Sequence, residues 1–217
     1  MNYVRLYKGG GYLQFGRVSF TGGFIVMIAL VYLFDVNNFV PLVVLAALVH
    51  EGGHFAAIWA LGGRTLRLHL GFVGLRIDYE GRRVGYPGEI VIALMGPAAN
   101  LALAYAASFL GRYLGSETLF FLAGISLGAA VFNLLPVYQL DGGRALYCFM
   151  ALAMDVDWAW RVSCVLSCAM IFAMLAAGLL LFIWSGWNFT LLTVAIWLLI
   201  SYCKSEGSAI RYAVNEY

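Results

Sequence analysis

Residues 48–56 read Leu48-Val49-His50-Glu51-Gly52-Gly53-His54-Phe55-Ala56, and they lie inside an apolar run, Phe39–Leu61. A helix needs ~17–25 mostly apolar residues to cross a bilayer. The run therefore carries two imidazoles and a carboxylate at membrane depth, where each costs roughly 2–3 kcal/mol or more. The pattern is His-Glu-x-x-His on a helix. Positions four apart lie one turn apart on one face, so His50 and His54 can bind the same metal ion. Glu51 sits one residue round the helix, close enough to take a proton from a water activated there. A chance match in a chain of this size is on the order of 1%, and burial makes it rarer still.

The composition agrees with a bilayer as solvent. Of 217 residues, 63% are hydrophobic and 11% charged, with a mean hydropathy of +0.87. Soluble domains sit nearer ~45–50% apolar and ~25% charged, so a water-soluble fold of this length could not hide the apolar surface. A disordered tail, a nucleic-acid-binding module and a disulfide scaffold are excluded. The net charge of +2 is too small for a phosphate-binding face. Cys148, Cys164, Cys168 and Cys203 lie in or beside apolar stretches and read as small buried hydrophobes.

Working outward, hydropathy gives six candidate spans, at about 18–34, 39–61, 88–113, 118–136, 158–184 and 187–203. The stretch Ala145–Met154 is too short to cross alone. With six spans and a cytoplasmic N-terminus, every lysine and arginine of the 13 falls on the cytoplasmic side except Arg112. That bias predicts both termini in the cytoplasm. Trp158, Trp184, Trp187 and Tyr202 fit an interfacial belt.

Between the second and third spans the chain alternates. Leu66, Leu68 and Leu70 point one way, and Val73, Leu75 and Ile77 continue the period of two, with Gly71, Gly81 and Gly85 as punctuation. This predicts a small antiparallel β-sheet over 64–86. The expected fold is thus a membrane all-α protein, one domain over 1–217, with six transmembrane helices and a membrane-associated sheet.

Catalytic zinc usually has three protein ligands and one open position, so two histidines are not enough. His69 is the one other histidine and sits on the polar face of the expected sheet, where it reads as a surface imidazole. Asp141, in Asn133-Leu134-Leu135-Pro136-Val137-Tyr138-Gln139-Leu140-Asp141-Gly142-Gly143, has two readings. It is an N-cap for a helix over Gly142–Met154, or a ligand brought to depth by the non-helical backbone after a proline-broken helix. Asn100 follows Pro97 and a small-residue surface, and it either faces the site or makes an interhelical hydrogen bond. Asn133 either satisfies a carbonyl freed by Pro136 or donates to the oxyanion of a tetrahedral intermediate. Gly142 and Gly143 are expected to supply backbone freedom for the turn at Asp141.

Three motifs in order, His50-Glu51-Gly52-Gly53-His54, Gly96-Pro97-Ala98-Ala99-Asn100 and Asn133-Leu134-Leu135-Pro136 with Asp141-Gly142-Gly143, resemble the site-2 protease family of intramembrane zinc metalloproteases. The resemblance covers roughly Leu42–Leu146. It implies His50, His54 and Asp141 as ligands to one zinc ion per chain and Glu51 as catalytic base. It points to the compact sporulation-type branch. No PDZ domain interrupts the chain and no CBS domain follows the last span, so nucleotide regulation is not carried over.

The resemblance implies an integral protein of a bacterial cell membrane that cleaves membrane-tethered regulators, of the pro-sigma or anti-sigma factor type, within or near their spanning segment. The lipid bilayer and a membrane inhibitor protein are further partners on this reading; nucleic acid is not. A substrate helix must unwind before cleavage, and pairing with the edge of the expected sheet would hold it open. Leu66, Leu68, Leu70, Val73, Leu75 and Ile77 are the expected clamp.

Overall fold

The computed structural model describes residues 39–63, 85–185 and 189–203 with their side-chain surroundings, and 12–15, 18–21, 64–71, 74–80 and 204–214 by backbone alone. Among the residues described with their side chains the regular structure is helical, with six helices and no strand. These are α1 (Val40–Ala60), α2 (Tyr86–Leu114), α3 (Glu117–Asn133), α4 (Asp141–Ala153), α5 (Val156–Ser185) and α6 (Thr190–Val214).

Local chemistry sets the helix ends. Pro41 stands in the first turn of α1, where a missing N–H has no partner to lose. At its other end Gly62 takes φ +77°, and the Gly62 and Gly63 amides close on the Trp59 and Ile58 carbonyls at 3.0 and 2.9 Å. Gly115, at φ +64°, makes the turn from α2 to α3. The α3 helix ends at Asn133, ahead of Pro136, which lacks an N–H and disfavours helical backbone in the residue before it.

The expected fold is overturned. Among the described residues three helices, α1, α2 and α5, are long and apolar enough to cross a membrane, where six spans were expected over the whole chain. The helix for the expected fourth span, α3, is shorter, and the sixth reduces to the apolar stretch Thr190–Cys203 of α6. The expected first span begins in backbone assigned as strand, Val18–Thr21, and its residues 22–34 lie outside those described. A hydropathy window sums composition over a fixed length and does not register where the backbone stops being helical.

The sheet is corrected too, since no strand falls among the fully described residues. Backbone strands β1 (Tyr12–Phe15), β2 (Val18–Thr21), β3 (Arg64–Gly71) and β4 (Gly74–Glu80) run in the order β1-β2-β3-β4. β3 and β4 are antiparallel, but β2 lies parallel to β3 with Val18 opposite Leu68. The self-contained antiparallel element between two spans is therefore not what this chain forms. Alternation along 64–80 specified extended backbone; it held no information on which strand lies alongside.

The chain divides into two compact units, Met1–Val84 with Ala98–Leu127, and Gly85–Pro97 with Gly128–Tyr217. In the first, a Cβ on Gly111 would stand 3.2 Å from the Leu119 Cβ, so that glycine lets α3 lie close to α2. Phe39 and Phe121 stack at 5.1 Å, ring tilted on ring. In the second, Val137, Leu140, Ile171, Met174, Ala195 and Leu198 form a buried core. There a Cβ on Gly178 would meet the Leu192 backbone nitrogen at 2.8 Å, which marks a tight α5–α6 contact. Around both units large apolar side chains remain exposed, among them Leu48, Phe55, Trp59, Tyr105, Phe109, Phe172 and Trp184. A soluble surface does not carry such side chains in number. With three spanning helices, they define an integral membrane protein.

Candidate metal centre

The α1 helix buries Ala46, His50, Gly53, His54, Ala57 and Ile58, a stripe at helical spacing, and turns Leu48, Phe55 and Trp59 outward. Both histidines of the motif are thus on the protein-facing side. Their Nε2 atoms stand 3.1 Å apart, with the rings edge to face. Two nitrogens ~2.0–2.1 Å from a tetrahedral zinc stand about 3.3 Å from each other, so the pair already has the spacing of one edge of such a site. Glu51, half-buried, is the next residue along the helix.

Asn100 lies on α2 and is fully buried. Its Nδ2 is 3.3 Å from the Nδ1 of His50, on the far side of the imidazole from His54. Pro97, one turn earlier, is also fully buried, and α2 continues through it. Asn100 therefore sits against a motif histidine, in a contact that is also interhelical, so its two sequence readings meet in one interaction.

Asp141 is the first residue of α4. The N-cap position belongs to Leu140, in extended conformation with no side-chain capping bond, so the reading of Asp141 as the helix cap is not realised. The backbone before it is held from several directions. Val137 is wholly buried, and the Tyr138 N–H donates to Ser167 Oγ at 2.9 Å. Ser167 in turn donates to the Ser163 carbonyl at 2.7 Å. Tyr138 packs edge to face on Tyr147 and Trp160, and burial pushes its phenol above the ordinary range, against the pull of Arg144. Arg144 pairs with Glu89.

Gly142 and Gly143 act differently from the expectation. Neither takes a positive φ. A Cβ on Gly142 would fall 2.2 Å from the Leu134 carbonyl oxygen, and one on Gly143 would fall 2.1 Å from that of Val137. They are required for close backbone approach, and that approach packs the segment 134–140 onto the start of α4.

Asn133 ends α3 with its Nδ2 donating to the Ala129 carbonyl at 3.0 Å, a bond back along its own helix. Leu66, Leu68, Leu70, Val73, Leu75 and Ile77 lie outside the residues whose side chains are described. Sequence reasoning missed Ser167. Its signal was Ser163 and Ser167 four apart in a largely apolar helix, the spacing of a polar anchor on one face.

Each of His50, His54 and Asp141 offers one ligand atom, and these atoms lie within 4.8 Å of one another. Two imidazole nitrogens and a carboxylate oxygen are a donor set that suits zinc. The group could hold a metal ion.

No protein-family model matches this sequence, and no curated protein matches it. Among solved structures, the site-2 protease from Methanocaldococcus jannaschii superposes with a TM-score of 0.66 at 18% identity, covering 90% of this chain and 94% of that one. A likeness at that identity is one of fold. The chain is an integral membrane protein with the fold of that protease, and it carries a His-His-Asp group able to take a metal.

Proposed function

We propose that this chain is an intramembrane zinc metalloprotease. The observation that carries the reading is the convergence of His50, His54 and Asp141 ligand atoms within 4.8 Å, in a chain with a site-2 protease fold. His50, His54 and Asp141 would hold one zinc ion. When bound, zinc supplies Lewis acidity, which makes water a nucleophile near neutral pH and polarises a carbonyl.

The chain's own residues do the rest. The Glu51 carboxylate accepts the proton of the attacking water and returns it to the leaving amine nitrogen. Asn133 uses one amide N–H on its own helix, and the other is assigned to the negative charge developing on the scissile carbonyl oxygen. Buried helix faces around His50 and His54 exclude bulk water, which strengthens each of these interactions. Substrates on this reading are membrane-tethered regulators in a bacterial cell membrane. A pro-sigma factor is the first to try, because the sequence motifs resemble the sporulation-type branch.

The test is Glu51→Gln, co-expressed with such tethered substrates. The variant is expected to keep its zinc and lose cleavage by at least a hundredfold, in line with the ~10²–10⁴-fold worth of a positioned acid–base group. Cleavage at the parent rate would overturn the protease reading. A chain that neither binds zinc nor cleaves any tethered regulator would overturn both halves of it.

A further inference from the structure

Asn100 is a fully buried polar residue whose hydrogen bonding is only half satisfied by its surroundings. With Nδ2 facing Nδ1 of His50 at 3.3 Å, its Oδ1 is left buried with no partner among the described residues. In that arrangement His50 Nδ1 accepts, so the ring proton is on Nε2, and Nε2 can donate across the 3.1 Å to His54. A nitrogen that carries a proton cannot ligate a metal.

A primary amide turned by half a revolution about its Cβ–Cγ bond keeps its outline and exchanges donor for acceptor. Turned so, Asn100 Oδ1 faces His50 Nδ1 and accepts its N–H. The proton then belongs to Nδ1, and the Nε2 lone pair is left on the side that faces the Nε2 of His54. Metal-bound histidines commonly have the second nitrogen fixed by an acceptor of this kind, which sets both tautomer and ring orientation.

We infer that Asn100 is a positioning residue for zinc. Its amide oxygen accepts from His50 Nδ1–H in the loaded protein, fixing the tautomer that ligates. This rests on the metalloprotease reading for the identity of the ion. It needs no cleavage to be observed.

The experiment is a chelator competition for zinc on the full-length chain in detergent, comparing the parent with Asn100→Asp and Asn100→Leu. The leucine has similar bulk and no acceptor, and is expected to weaken zinc binding about 10–100-fold. The aspartate retains an acceptor and is expected to bind zinc at least as tightly as the parent. Should the leucine variant not fold, Asn100→Ala takes its place in the same assay. A merely structural role would weaken both substitutions alike or neither. Parent-like affinity in the leucine or alanine variant overturns the inference, as does an aspartate variant as weak as they are. A parent chain with no affinity for zinc overturns the metalloprotease reading instead.

Discussion

At the scale of single residues, Asp141 and Ser167 separate binding from support. Asp141→Ala removes the one oxygen donor of the His50, His54 and Asp141 group. It is expected to lose most of the bound zinc, as metal analysis of the purified protein would show. Full occupancy would leave Asp141 without a ligand role. Ser167→Ala touches no ligand but takes away the acceptor of the Tyr138 N–H. A donor left unpaired in full burial costs about 1–3 kcal/mol, and this part-buried one should cost less, so thermal unfolding in detergent should shift modestly downward while zinc stays bound. Zinc loss in Ser167→Ala without a shift in unfolding would contradict that separation.

At the scale of elements, the entry into α4 is the vulnerable joint. Alanine at Gly142 or Gly143 places a methyl within 2.2 Å of main-chain carbonyl oxygens, and those atoms cannot swing aside as a flexible side chain would. Overpacking of this sort typically costs about 1–3 kcal/mol. Here it also displaces the first residue of the helix, Asp141. Both losses are expected together: a lower unfolding temperature and weaker zinc binding. Gly52, whose added methyl would meet nothing within 4 Å, is the control. Gly52→Ala should leave both quantities near the parent values, and if it behaves like Gly142→Ala the packing account is wrong.

At the scale of the whole molecule, α2 is long enough to cross the bilayer, so the residues flanking it belong on opposite sides. Single cysteines replacing Glu80 and Ser116, in a chain whose own four cysteines are removed, should react with a membrane-impermeant reagent from opposite faces. Labelling from the same face would remove α2 from the spans. Legibility in the sequence followed the range of each interaction. His50, Glu51 and His54 were readable because four residues along a helix already define a shared face. Asp141 lies 87 positions beyond His54, and periodicity said nothing of it; the resemblance in motifs did. The six-span layout failed where hydropathy stood in for geometry, at α3, cut short before Pro136, and at Val18–Thr21, whose β-branched and aromatic residues favour extended backbone. Gly142 and Gly143 were noticed for the right place and the wrong reason, because a close approach depends on what lies opposite.

The buried stripe of α1 behaves as a screw thread. Each added residue advances a helix by 1.5 Å and rotates it by about 100°, so point substitutions and insertions address different properties of it. Many outward side chains of α1 can exchange for other apolar ones without consequence for the motif. One residue inserted between Ala46 and His50 cannot, since it would carry His50 and His54 round toward lipid and bring Gly53 into the place of His54, with composition and hydropathy almost unchanged. The region should tolerate drift in letters and reject drift in length.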